Sequence, residues 1–493
     1  MSRPGSRAER AFLVLAAAVV AAALLRLGGV VAGQLAWPYD IGTETAQLCS
    51  IRVLERGQPL YDPATYAADP FVLTMYTPLY HALVSWLPSA PGRPFLPGRL
   101  VAMGAMLAAA GTVFAVGRRR GRLAPAGLAC GWFFLLWPAL VHTAYLRSDS
   151  LALMLSAWAV VCVDRGGRRA LVLGAVLAAL AVAAKQSYVA AALACGAWLA
   201  FTDRKGARIF AAVFAGLLAA GAFAATLAWG RGFWFSVVVA PSVGAFSGLP
   251  SAVVDAVGQP AFVLLVVLSL WADALVLRRD GAAALRRSPF GLYALASLAV
   301  LLLTVGKAGA NELYLLEFVL AHLLWLVSLN GREAPIFGHA LAAAALALVA
   351  AVEVATPASR WESRAHGAGS REDRSAYYSA VRAGLAARGV TGGRILGLGA
   401  QQDALGVADD ACLNDAFLYR MLWRRGLLDP QDLVDAVRRR AFDVVMLPGA
   451  LPLPPPDSGP DAPDPLLVTL ARAVSECYAL AGRDGNHTWF IRP

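Results

Sequence analysis

Long apolar runs rich in Ala, Leu, Val and Gly alternate along this chain with short clusters of arginine and lysine. The runs lack period-two alternation, so they predict membrane-spanning helices rather than the strands of a membrane barrel. A helix satisfies its own backbone hydrogen bonds inside hydrocarbon, which an open strand cannot do. About eleven spans are expected, at 11–31, 98–117, 123–141, 149–163, 170–184, 187–202, 209–229, 260–277, 289–305, 313–329 and 336–355. The spans at 149–163 and 187–202 are short for a full crossing and fit tilted partners in a bundle or helices lengthened by flanking polar residues. The run from Ala11 to Ala32 has no small-residue cleavage site before a soluble region, so it is expected to stay as an anchor. Tyr76 to Leu87, bounded by Pro78 and Pro88, fits a helix lying on the membrane surface.

The pattern changes at about residue 356. Beyond it the chain is polar enough to be soluble, with an amphipathic helix expected over Ser375–Ala387 and short buried strands at Arg394–Leu398 and Phe442–Leu447. Helical stretches are expected near 414–426 and 430–440, and the proline-rich segment Leu451–Pro465 reads as a loop. The fold class expected is therefore an α-helical polytopic membrane protein over 1–355, with a first outer loop at about 32–97, followed by a small extracytoplasmic α/β domain over 356–493.

Composition agrees with lipid as the solvent of most of the chain. Of 493 residues, 58% are hydrophobic and only 15% charged, too few charges for the surface of a soluble protein of this length. The net charge of +11 does not point to nucleic acid, because the surplus sits in the tail and between spans. The clusters at 3–10, 118–122, 165–169, 204–208 and 278–287, with Arg332, all fall on one side if the spans alternate. The positive-inside rule then places the N-terminus in the cytoplasm of a cell whose inner membrane holds the protein, and the C-terminal domain outside. The six cysteines show no metal-type spacing; Cys412 and Cys477 share the C-terminal domain, where pairing is left open.

The opposite face carries the candidate chemistry. Asp40 and Glu44 follow the first span four residues apart, on one face of any helix that holds both. Such a pair reads either as solvated acids at a helix start or as a base able to accept a hydroxyl proton. His142, Arg147 and Asp149 stand at one outer span junction, Lys185 and Gln186 at a second, and Lys307, Asn311 and Glu312 at a third. Each cation taken alone reads as a snorkelling side chain. Three junctions holding cations that the charge rule depletes, with an acid nearby, suit a phosphate-bearing substrate.

These segments resemble a known group. Asp40 and Glu44 after span one, Leu54-Glu-Arg-Gly-Gln-Pro-Leu-Tyr61 and Tyr76-Thr-Pro-Leu-Tyr80 resemble the first outer loop of GT-C superfamily glycosyltransferases of the protein-mannosyltransferase and aminoarabinose-transferase type. Leu146-Arg-Ser-Asp-Ser-Leu151, Ala184-Lys-Gln-Ser187 and Gly306-Lys-Ala-Gly-Ala-Asn311 extend the likeness, in order, over most of the membrane region. The resemblance implies transfer of a sugar from a polyprenyl-phosphate-linked donor to an envelope acceptor at the outer leaflet, with inversion. Asp40 would be the general base, with Glu44 beside it. Lys185, Lys307 and Arg147 would hold donor phosphate. Tyr61, Tyr76, Tyr80, His142, Asp149, Gln186 and Asn311 would line the substrate site. Membrane lipid would surround it; no cofactor is expected, and a divalent metal is left open without being indicated. The acids here are spaced D-x-x-x-E rather than adjacent, which leaves open which is the base. A transporter or flippase for a lipid-linked or anionic substrate is the alternative, though the span centres are nearly free of the ionisable groups that alternative needs.

Overall fold

The computed structural model describes residues 7–38, 40, 44–88, 90, 92–244, 260–281, 283, 288–307, 312–329, 371–390, 393–397, 411–448, 465–483 and 487–493. The expected span at 336–355, the boundary near 356 and the loop at 451–464 lie outside the described residues.

Helices occupy the places where the apolar runs predict them. They are α1 (Arg7–Ala36), α5 (Leu96–Arg119), α8 (Ser148–Arg165), α9 (Arg168–Ala184), α10 (Ala190–Thr202) and α11 (Arg204–Trp234), followed by α12 (Pro260–Asp280), α13 (Pro289–Thr304) and α14 (Leu315–Ser328). Between α1 and α5 the first loop carries α2 (Glu44–Glu55), α3 (Pro63–Tyr66) and α4 (Leu79–Ser85). Of the described helices, Leu96–Arg119 and the stretch Arg204–Ser242 are each long and apolar enough to cross a membrane alone. The 13 residues of α10 rise about 20 Å, short of a hydrocarbon core of about 30 Å.

One expected span differs from its prediction. The run 123–141 is not a single helix but α6 (Leu123–Leu135) and α7 (Trp137–His142), joined at Leu136 in an extended conformation. Pro138 is the reason: its ring removes a donor and clashes with the carbonyl four residues back, that of Phe134. The segment expected on the membrane surface is α4, which starts after Pro78 and buries Tyr80, His81 and Val84; seven residues cannot cross a bilayer.

Burial separates centre from periphery. Every residue of α14 is buried, and it packs against α5, α6, α12 and α13. Most of α11 is exposed and apolar, as expected of a helix at the lipid-facing edge. That helix is broken at Gly230, whose φ of 57° is open to glycine. Two residues on, a Cβ at Gly232 would lie 1.9 Å from the Tyr61 carbonyl oxygen, so only glycine lets this helix meet the first loop. The bundle is also sided. Arg119 and Arg120 pair with Asp164 at 3.1 and 3.3 Å, which puts the C-terminal ends of α5 and α8 together, away from the starts of both helices.

The C-terminal portion is an α/β layer. Its five strands run in the order β2 (Ala411–Cys412), β1 (Ile395–Gly397), β3 (Val444–Pro448), β5 (His487–Ile491), β4 (Ala479–Arg483), the first three parallel and the rest antiparallel. Helices α15 (Arg371–Ala386), α16 (Ala416–Arg424), α17 (Gln431–Arg438) and α18 (Pro465–Cys477) accompany it. Strands β2, β4 and β5 and helix α18 are additions to the expected elements. No disulfide joins Cys412 to Cys477. The core of this layer is shared with the first loop, since Tyr66, Phe71 and Leu73 pack with Leu396, Tyr419 and Leu447. Phe71 and Leu413, at that seam, both have positive φ, 60° and 65°, a conformation non-glycine residues seldom adopt without support from their surroundings.

Candidate active site

The site is built where the starts of α2, α5 and α8 meet the end of α9. Helix α2 begins with four orphan backbone donors to satisfy, and Asp40 serves two of them. Its Oδ1 accepts from Glu44 N at 3.0 Å and its Oδ2 from Thr45 N at 3.1 Å and Thr45 Oγ1 at 2.6 Å. These bonds set the orientation of the carboxylate.

Glu44 has a different environment. It is fully buried, and its Oε1 accepts from Arg99 Nε at 3.0 Å and Leu146 N at 2.7 Å, while Oε2 pairs with Arg99 Nη2. Arg99, only 1% exposed, also donates to the carbonyls of Gln34 and Trp37. One ion pair therefore ties the end of α1, the start of α2, the start of α5 and the loop before α8. Arg99→Met would leave the Glu44 charge buried without this partner; we expect a loss of about 3–5 kcal/mol, read as a lower unfolding temperature in detergent.

A second cluster faces the first. Lys185, 4% exposed, caps the C-terminal end of α9 and its Nζ lies 2.6 Å from Asp149 Oδ1. The ammonium also sits over the rings of Tyr76 and Tyr314, 5.1 and 5.2 Å from their centroids. Tyr188 donates its hydroxyl to Asp149 Oδ1 at 3.4 Å, while Asp149 Oδ2 is buried without a partner among the described residues. Asp149, Lys185, Tyr314 and Glu317 line a cavity of about 20 Å³, room for one water. Arg147, 8% exposed, lies over the Tyr145 ring at 5.5 Å and donates to Tyr76 Oη at 3.4 Å; its Nε has no partner among the described residues.

Electrostatics keep both cations charged. Burial works against the ammonium of Lys185, but Asp149 and the facing tyrosines raise its pKa above the ordinary lysine value. Burial likewise opposes the Arg147 charge, and Tyr145, Tyr76, Asp149 and Asp40 together outweigh it and raise the pKa. The place of Asp40 among those causes puts its carboxylate within electrostatic reach of the Arg147 guanidinium.

Other sequence candidates fall elsewhere. Tyr61 and Tyr80 are fully buried struts: Tyr61 donates to the Tyr76 carbonyl at 2.6 Å between the edges of Trp229 and Phe233, and Tyr80 donates to the Gly98 carbonyl at 3.1 Å. Neither presents a ring face to a ligand. Gln186 ties the first loop to α11's continuation through Met75 O at 2.9 Å and Val237 O at 3.3 Å. His142 is buried beside Tyr145, their centroids 4.9 Å apart. Lys307 is half-buried and makes no side-chain hydrogen bond or ion pair among the described residues. Asn311 lies outside them.

The structure adds residues that spacing did not indicate: Arg99, Tyr188, Tyr314 and, from the C-terminal layer, Asn414. Asn414 Oδ1 accepts from Leu73 N at 2.9 Å, and its Nδ2 donates to Leu73 O at 3.0 Å and Ala46 O at 3.3 Å. Ala46 lies in the first turn of α2, so the C-terminal layer braces the helix that Asp40 caps. Asp415 follows; burial raises its pKa, opposed by its bond from Leu418 N and by Arg147. Arg99 carried a signal, being one more cation at an outer span start. Asn414 stands with Asp409, Asp410 and Asp415 in a polar cluster that reads in sequence as solvated helix-cap residues or as a cation or acceptor site, not as a brace of the first loop.

No protein-family profile and no curated protein sequence matches the chain. The similar solved structures include ArnT from Cupriavidus metallidurans bound to undecaprenyl phosphate, with a TM-score of 0.59 and 11% sequence identity over 95% of this chain and 97% of that one. The apo state of the same protein gives a TM-score of 0.57 at 11% identity, with the same coverage. At this identity the likeness is one of fold.

Proposed function

We propose that the chain is a membrane glycosyltransferase that moves a sugar from a polyprenyl-phosphate donor to an envelope acceptor hydroxyl, with Asp40 as general base and inversion at the anomeric carbon. The observation that carries this is the pairing, on a GT-C fold, of an oriented carboxylate with two buried, charged cations. The likeness to an ArnT structure holding undecaprenyl phosphate supports the donor class. In the reaction the acceptor oxygen attacks the anomeric carbon, the bond from that carbon to the phosphate oxygen breaks, and Asp40 takes the hydroxyl proton. Arg147 and Lys185 offset charge growing on the departing phosphate. Such a leaving group needs little covalent help, so positioning and charge supply most of the effect. Glu44 acts through Arg99 and the α2 start rather than on substrate. No bound metal is called on.

The orientation that goes with this function puts the basic ends of α5, α8 and α12 in the cytoplasm and the site with the C-terminal layer outside. Mass spectrometry of envelope glycans and glycolipids from cells with and without the protein tests the proposal. We expect one glycan or glycolipid to lose a single sugar in its absence. An unchanged envelope with a missing transport activity would favour the flippase alternative.

A further inference from the structure

Asp415 brings a carboxylate of the C-terminal layer to the cations of the site. The chain before α16 runs along the first loop: Leu413 N donates to the Pro70 carbonyl at 2.9 Å and Asn414 N to the Phe71 carbonyl at 3.3 Å. The Asn414 side chain reaches Leu73 and Ala46. Ala46 follows Thr45, whose backbone and hydroxyl hold Asp40, and Tyr76, three residues beyond Leu73, meets Arg147. These contacts set Asp415 beside the start of α2. Its Oδ1 caps α16 through Leu418 N at 2.9 Å, and no ion pair closes on it among the described residues. The side chain is half-buried, yet enclosed enough that burial raises its pKa, a rise opposed by Arg147 and by Arg420 of α16. That is the setting of a carboxylate on a cleft wall, shielded by protein and still open to a ligand.

Arg147 is incomplete in a matching way. Asp40, Asp149 and Asp415 all lie within its electrostatic reach. It makes no ion pair with any of them among the described residues, and its buried Nε is unpartnered there. Helix capping accounts for one oxygen of Asp415, and an electrostatic tether between layers would close into contact. A carboxylate held near a phosphate-binding cation, but off it, opposes each negative charge that a ligand brings. Those charges differ across the reaction. A phosphate esterified to both lipid and sugar carries one negative charge. After transfer the lipid phosphate is a monoester, whose second ionisation at about pH 6 leaves it largely dianionic at neutral pH. Coulomb repulsion is linear in ligand charge, so Asp415 opposes the product about twice as strongly as the donor. We propose that Asp415 is a specificity-determining residue that selects the singly charged phosphodiester over the doubly charged phosphomonoester, and so favours release of the lipid phosphate after transfer. In its choice of ligands this rests on the glycosyl-transfer function.

The test titrates purified full-length protein in neutral detergent with radiolabelled undecaprenyl phosphate and, separately, with its methyl diester, at about pH 8, above the second phosphate ionisation. Asp415→Asn and Asp415→Ser each keep an oxygen able to cap α16 and remove the charge; the serine serves where the asparagine fails to fold. Both variants should bind undecaprenyl phosphate about tenfold more tightly than the wild type, 1.4 kcal/mol. The diester should gain only about threefold, the square root that half the ligand charge implies. Unchanged or weaker binding of the monoester in the folded variants would overturn the assignment. Equal gains for the two ligands would do so as well, because a change of shape alone does not distinguish one charge from two. If neither the wild type nor the variants bind either lipid, the polyprenyl-phosphate reading fails and takes this one with it. Binding by the wild type without selective tightening in the variants defeats the selectivity alone.

Discussion

Asp40→Asn is expected to lower sugar transfer from a polyprenyl-phosphate donor by about 10²–10⁴-fold, the usual contribution of a positioned base. The change preserves shape, and the amide oxygen still accepts from the start of α2. Its nitrogen, however, would face the Thr45 donors that now meet Oδ2, so a cap loss of about 0.5–2 kcal/mol accompanies it. Insertion and folding should survive that loss. Transfer assays on purified protein, with unfolding temperature as the control, check both halves. Undiminished transfer by a folded Asp40→Asn protein would remove Asp40 from the chemistry.

Lys185→Met carries the other large effect, and it is twofold. Asp149 is 1% exposed, its Oδ1 held by the ammonium and its Oδ2 already without a partner. Removing the cation strands a buried carboxylate at a cost of about 3–5 kcal/mol. The double change Lys185→Met/Asp149→Leu removes both charges and should regain most of that stability, since a buried ion pair is seldom better than well-packed apolar groups. Donor affinity should not return with it, because the double variant still lacks the cation. Thermal unfolding and donor binding measured on both variants separate the roles. Equal donor affinity in the wild type and the double variant would mean that Lys185 serves the fold alone.

The two acids show how far residue spacing carries. Four residues apart after a span, Asp40 and Glu44 read as an equivalent pair. They are not equivalent, because Arg99, 55 positions from Glu44, closes on it with two nitrogens, while Asp40 caps α2. Tyr61, Tyr76 and Tyr80 likewise looked alike in sequence. Only Tyr76 stacks on a site cation, whereas the other two spend their hydroxyls on backbone carbonyls inside the fold. Pro138 was visible throughout, and the break it makes between α6 and α7 could have been read from the hydrogen bond and the space that a proline denies the preceding turn of a helix.

The chain alone determined what depends on local solvent and charge. Apolar runs set the helices, and the arginines that end α5 lie beside the end of α8, where Asp164 pairs with Arg119 and Arg120. The polar C-terminal sequence carries the α/β layer, whose described elements begin at Arg371. Tertiary structure decided everything that depends on closure between distant segments. Glu44 meets Arg99, Asp149 meets Lys185, and Asn414 reaches Leu73 across 341 positions. The physical reason is that a buried charge or amide must find a partner wherever the fold brings one. Periodicity along a single helix holds no record of which partner that will be.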